Sequence, residues 1–402
     1  VVRRFEQAFA AATGAPAAVA LPHARVAFQY ILRVLALPAG SEVLLTPVTI
    51  PEIVSVVLME GLRPVFVDLG ERTCNMDCAD LARKITPRAR LLLVTHLCGI
   101  PSEMEQIGAL ARAHRLEILE DCSQVPGTRL AGRTLGLLGR AGFMSLTPLK
   151  PVSTFHGGMT ITADARIESE LRRIDAAAPS PMSLRRTARV VLRDYLLHAV
   201  TNVSTFSAFG YHGVRAGESL NPEAVREFQR GNLFNSPAKR MSKVTRLDRL
   251  PDWMYARYSD FQAQTGFKPL ARLDEGNRRR RDLSLRLLGK LSKAGVPGLL
   301  RIEGDPADCT FWRFPLWLDS PARRDDLRRH LFARGIDSSP TNLVCCAREE
   351  AFADCAADTP EARRFVDEML FLPMHSNLTD ADMDRIAEGV ISYYAGLPGG
   401  VR

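Results

Sequence analysis

Between residues 42 and 163 short apolar runs alternate with longer helical patterns, and this alternation restricts the possible folds more than any other feature of the chain. EVLLTPV, PVFVDL, RLLLVTHL, LEILED, GFMSLT and GGMTITA read as strands. IPEIVSVVLMEG and MEQIGALARAHR, which lie between them, carry apolar residues at helical spacing. A strand that is apolar along its whole length leaves no face for water. The pattern therefore predicts an α/β fold with a mainly parallel sheet covered by helices on both sides. Ligands of such sheets bind beyond the carboxyl ends of the strands. Asp121, His96, and Ser145 with Lys150 fall at or just past such ends.

The rhythm breaks at 165–245. RTARVVLRDYLLHAVTNVSTFSAFGYHGV is apolar and helical in pattern, but His, Asn and hydroxyl residues interrupt it. A helical cap over the site is the first reading. A basic amphipathic surface over 185–213 that touches membrane or an acyl chain is the second. Strand and helix alternate again from about 309, where CTFWRFPLWL and FLPMHS flank RRDDLRRHLFARG. With 402 residues, the chain divides into a large unit, 1–245, and a smaller α+β unit, 246–402.

Composition narrows the function classes. The net charge of +8 is moderate, and the run Arg278–Arg281 sits in the helical stretch LDEGNRRRRDLSLRLLGKL, where it reads as a solvated face. A nucleic-acid groove would interleave aromatic residues with the basic ones, and none do so here. No apolar run is long enough to span a bilayer, and no segment reads as a secretory leader. The eight scattered cysteines suit a reducing compartment, so a cytoplasmic location is expected. Cys74 and Cys78 are spaced like metal ligands, but no second pair completes a site and no metal is expected.

A pyridoxal phosphate site needs a lysine to take up the aldehyde and a carboxylate facing the pyridine nitrogen. It also needs amides at a helix start for the phosphate. Asp121 and Lys150 are candidates for the first two groups. LEILEDCSQVPG, followed by Ser145 24 residues and Lys150 29 residues beyond Asp121 and then by GGM, resembles the DegT/StrS-type family of pyridoxal-phosphate-dependent sugar aminotransferases. ITPRARLLLVTHLCGIP and FLPMHSNLTDADMDRI resemble further blocks of that family, in order. The likeness is good over 5–163 and moderate over 265–396.

The resemblance implies a fold type I α/β architecture, with a seven-stranded large domain and a small C-terminal domain. It also implies a homodimer with shared active sites. Lys150 would form the Schiff base and shuttle protons, Asp121 would pair with the ring nitrogen, and Gln124 would face the ring hydroxyl. Ser145 would donate to the phosphate. Read on the residues alone, Asp121 equally suits a helix cap, Ser145 a strand partner and Gln124 a solvated side chain. His96 matches a family histidine, either near the substrate or as a satisfied core residue.

The departures cluster near phosphate and substrate. VALPHARVAFQYIL stands where the family has S-S-G-T, leaving the amides at Ala24 and Arg25, with Arg25 either compensating on the phosphate or lying at the surface. Ile50 replaces an aromatic residue that in the family stacks on the cofactor, and His156 replaces a glutamate in a region that in the family lies near the substrate. FNSPAKRMSK keeps Arg240 and Met241, but Ala238 stands where an asparagine is usual, and Asn235 would serve only after a loop shift. The function the resemblance implies is amino transfer to a keto-sugar or related precursor, with glutamate as donor in the family's manner. Lys150 and Asp121 serve other pyridoxal phosphate reactions equally well, and the altered loop leaves a non-catalytic regulatory member as a third reading.

Overall fold

The computed structural model describes residues 1–148, 150–201, 205, 210, 212, 239–240 and 243–397. Seven strands form the central sheet: β1 (Ala17–Leu21), β2 (Glu42–Leu45), β3 (Arg63–Phe66), β4 (Ala89–Thr95), β5 (Glu117–Asp121), β6 (Ala141–Ser145) and β7 (Gly158–Thr162). Their order is β1-β7-β6-β5-β4-β2-β3. From β3 to β6 every neighbouring pair is parallel, while β7 pairs antiparallel with both β6 and β1. This is the mainly parallel seven-stranded sheet expected. β1 lies outside the expected alternation, because its AAVAL run is rich in alanine, a weak strand former.

The helices used below are α1 (Val2–Thr13), α2 (Ala24–Leu35), α3 (Pro51–Met59), α4 (Met104–His114), α5 (Ala165–Ala176), α6 (Leu184–Thr201), α7 (Asp260–Ala271), α8 (Leu273–Lys293), α9 (Pro321–Ala333) and α10 (Asp380–Ala395). Successive residues of β4 point to opposite faces. Leu91 and Leu93 enter a core shared with Phe28 of α2 and Ile167 of α5. Leu92 and Val94 enter a second core with Phe5 and Phe9 of α1 and Ile107 of α4. Both faces are thus dry, which is why the strands read as unbroken apolar runs. Each fully buried leucine contributes about 1.5–3 kcal/mol.

A second sheet, β8 (Phe314–Trp317), β9 (Ser339–Pro340) and β10 (Met369–Leu372), has the order β8-β10-β9 and is antiparallel throughout. α8 and α10 pack together beside it. The run Arg278–Arg281 of α8 is not one solvated face. Arg278 is exposed, whereas Arg280 is only 8% exposed, on the buried stripe with Leu273, Asn277, Ser284, Leu287 and Leu291.

The 165–245 segment divides in two. α5 and α6 are described; Asn235, Ala238 and Met241 lie outside the described residues, and Arg240 is seen only as part of a short strand, Lys239–Arg240.

Candidate active site

The register of the central sheet brings the candidate residues to one edge. Asp121 stands beside Thr95 on one side and Phe143 on the other, and Ser145 pairs with Gly158, which in turn pairs with Leu21. Leu21 leads through Pro22 and His23 into α2. His23 supplies no side-chain cap, and the first bond into the helix runs from Ala27 N to His23 O at 2.8 Å. The amides of Ala24, Arg25 and Val26 therefore lack helical acceptors and carry the positive end of the helix dipole. Gly158 makes this approach possible, because a Cβ there would lie 2.6 Å from Ala24 N.

Asp121 Oδ1 accepts from Ser123 N at 2.9 Å, which leaves Oδ2 without a partner among the described residues. Ser145 Oγ and Thr147 Oγ1 lie 2.9 Å apart, and Ser145 N donates to Ser123 Oγ at 3.1 Å. Lys150 follows in a turn, its N–H donating to Thr147 O at 3.2 Å. Its Nζ sits 4.0 Å from the centre of the Trp312 ring. Burial lowers the Lys150 ammonium from its ordinary value to about 8; Asp121 opposes the shift and Arg313 adds to it.

Trp312 and Arg313 reach this edge through a tight turn. Cys98 takes φ 61 and Gly99 φ 82, and Gly99 O accepts from the amides of Thr310 and Phe311. Cys98 O accepts from Arg313 N at 3.3 Å, while Gln124 Oε1 accepts from Cys98 N at 2.7 Å. Gln124 thus braces the turn that carries Trp312, and its amide nitrogen has no partner among the described residues. A Cβ at Gly99 would lie 2.3 Å from Trp312 N. Gly99→Ala is therefore expected to lower stability by about 3 kcal/mol, through left-handed strain and backbone overlap. A urea titration checks this, and an unchanged midpoint would contradict it.

Three further candidate residues, Arg25, His96 and His156, have specific neighbours; the Arg25 side chain takes neither the phosphate role nor the open surface position. Arg25 Nη1 bonds Glu52 Oε1 of α3 at 2.7 Å, and Glu52 is fully buried, so this guanidinium is committed to a carboxylate. His96 is fully buried: its Nδ1 accepts from Ser102 N at 3.1 Å, and its Nε2 faces Glu120 Oε2 at 3.2 Å. It is a satisfied core histidine with no surface for substrate. His156 lies against His23, with ring centres 5.5 Å apart, and its Nδ1 is buried without a partner among the described residues. Burial, then Arg186 and Arg193 of α6, push the His156 ring down to about 4.

His96, Glu120 and Cys122 bring ligand-type atoms within 4.8 Å of one another. Glu120 is already engaged: Oε1 accepts from Leu138 and Gly139 amides at 2.8 Å each, and Oε2 from Gly136 N at 2.7 Å. Its carboxylate closes the turn before β6. Sequence reasoning missed Trp312, Arg313 and Thr147; the aromatic-cation run FWRF at the entry to β8 was the available signal.

The donor set fits pyridoxal phosphate. An uncapped helix start with a glycine beneath it and two hydroxyls beside it suits a phosphate. A half-buried lysine and a carboxylate with one open oxygen stand at neighbouring strand ends. This combination of fold and site suits an enzyme of the pyridoxal-phosphate-dependent class. The chain belongs to the DegT/DnrJ/EryC1/StrS aminotransferase family, whose model matches residues 1–191 and 252–391. The match runs through α5 and into α6, so the departure is shorter than the 165–245 expected.

Among relatives, the chain is 36% identical over 171 residues to the UDP-N-acetyl-3-dehydro-alpha-D-glucosamine 3-aminotransferase of Acidithiobacillus ferrooxidans; this covers 42% of the chain and 46% of that relative. The chain thus spans about half the length of that relative. It is 28% identical over 391 residues to the dTDP-3-amino-3,4,6-trideoxy-alpha-D-glucose transaminase of Streptomyces venezuelae, covering 96% of the chain and 85% of that protein. The crystal structure of S. venezuelae DesV is similar, with a TM-score of 0.72, 26% identity and coverage of 99% and 90%.

Proposed function

We propose that this protein transfers an amino group, with glutamate as donor, to the keto group of a nucleotide-linked sugar. The juxtaposition of Lys150, Asp121 and the uncapped start of α2 carries this reading, and the sugar substrates in the relatives' names support the acceptor class. Bound pyridoxal phosphate supplies an aldehyde that holds an amine and a ring that draws electrons from it. Lys150 is the amine for that aldehyde and afterwards the base and acid that moves the proton. Asp121 Oδ2 holds the proton of the ring nitrogen. The amides of Ala24, Arg25 and Val26, with Ser145 and Thr147, would hold the phosphate, and Gln124, whose amide nitrogen has no partner among the described residues, would serve the ring hydroxyl. Trp312 excludes water from Lys150 Nζ. His156 stays uncharged near neutral pH and offers a hydrogen-bonding ring on the acceptor side.

A homodimer is the proposed assembly; Leu192, Tyr195 and Leu196 of α6, 58%, 67% and 55% exposed, support an apolar contact there. The eight free thiols support a cytoplasmic setting, and among the described residues no helix is long and apolar enough to cross a membrane. The large unit, 1–245, and the small unit, 246–402, remain the proposed division.

The test is incubation of the cofactor-loaded protein with glutamate and a panel of dTDP-, UDP- and GDP-linked keto-sugars, with amino-sugar read by mass. At least one is expected to be aminated; none aminated, with no glutamate consumed, would sink the reading. The position of Lys150 also fixes a pH dependence. Only the neutral amine captures an aldehyde, so capture of cofactor by the stripped protein should rise with pH and reach half its plateau near about 8. Arg313→Met removes a like charge and should move that midpoint upward. A midpoint that stays in place would show that Arg313 does not act on Lys150.

A further inference from the structure

Beside the turn that presents Lys150 lies a cavity of about 320 Å³ with Pro151 in its wall. Lys268, Arg272 and Arg280 line it, together with Ser376 and Asn377, and no acidic residue does. Elsewhere on α8 the arginines find carboxylates, Arg278 on Asp274, Arg279 on Asp380 and Arg286 on Asp384. The three cations of the cavity have no such partner among the described residues. Arg280 is the decisive one. It is 8% exposed, and its Nη2 donates to Asn277 Oδ1, whose own Nδ2 is held by Pro126 O at 2.8 Å. Its Nε is buried without an acceptor.

A buried guanidinium without a counter-charge is costly, and a ligand anion that accepts from Nε removes the cost. Two exposed cations at the rim would then attract the anion and close around it. The volume exceeds what a lone water or simple ion needs, at about 30 Å³ per water. We propose that this cavity is a binding site for a diphosphate-bearing small molecule. Arg280 would meet one phosphoryl group in the interior, Lys268 and Arg272 would meet the other at the mouth, and Ser376 and Asn377 would fill the remaining oxygen positions. The site does not rest on the reaction at Lys150. A diphosphate has two sources, the nucleotide-linked acceptor itself and a free nucleotide effector, and both offer the same chemistry.

The test is calorimetric titration of the cofactor-loaded protein with inorganic pyrophosphate, the loaded cofactor blocking its own phosphate position. Saturable binding at one site per chain is expected. Lys268→Ala with Arg272→Ala, both at exposed positions and so compatible with the fold, should weaken it by roughly tenfold or more. Arg280→Lys, which keeps the charge but loses Nε, should weaken it as well; its thermal transition reports whether the fold survives. Absence of saturable binding, or equal affinity in the double variant, overturns the proposal. Competition between pyrophosphate and the keto-sugar acceptor would assign the site to the substrate, and non-competitive behaviour would assign it to an effector.

Discussion

Lys150→Ala is expected to lower amino transfer by at least about a thousandfold while leaving the fold intact. The nucleophile and the proton carrier are one side chain in the proposed site, and proton transfer alone contributes about 10²–10⁴-fold. The fold should tolerate the change. Lys150 is half-buried, its structural bond is the backbone one to Thr147 O, and burying its ammonium is itself unfavourable. The turn is held independently, by Leu146 N on Gly157 O and Thr154 N on Leu146 O, at 2.9 Å each. Steady-state kinetics beside a thermal melt checks both halves. Activity within tenfold of the parent would move the chemistry away from Lys150.

Asp121→Asn is the second large effect. The substitution keeps the shape, and the amide oxygen still accepts from Ser123 N. It loses the negative charge that would hold a proton on the ring nitrogen. Truncating one partner of a hydrogen-bonded charge pair costs about 2–5 kcal/mol, which corresponds to roughly thirtyfold to several thousandfold in rate. Cofactor affinity should fall less than turnover, because the phosphate contacts at α2 and Ser145 remain. Equal losses in affinity and turnover would show that Asp121 only binds and does not tune the ring. Asp121→Glu, which restores charge at the wrong length, should recover part of the loss.

The parts of the fold that were legible in the sequence share a physical cause. β4 and β6 are buried on both faces along most of their length, so their residues could not alternate and their apolar runs identified them, whereas β5 carries the buried Glu120 within its run. Asp121 and Lys150 stood out as candidates because they fall at the end where a parallel sheet binds ligands, and the spacing that resembles the family singled them out. The roles of Arg25 and His96 were not legible, since each is explained by a distant carboxylate, Glu52 and Glu120, that only the folded chain brings near. Trp312 was hidden for the same reason: it meets Lys150 only through the Cys98–Gly99 turn. Arg280 is a different case. Leu273, Asn277, Arg280, Ser284, Leu287 and Leu291 recur at steps of three and four, so the helix period already placed one of the four arginines inward. Reading the run as a block of charge obscured that.

The central claim, that the edge formed by Asp121, Ser145, Lys150 and α2 performs amino transfer, is tested most directly by the half-reaction without acceptor. Cofactor-loaded protein mixed with glutamate should release one 2-oxoglutarate per site and stop, leaving the cofactor in its amine form; Lys150→Ala should release essentially none on the same timescale. Release of no 2-oxoglutarate from glutamate by the parent protein, or equal release from Lys150→Ala, would contradict the account.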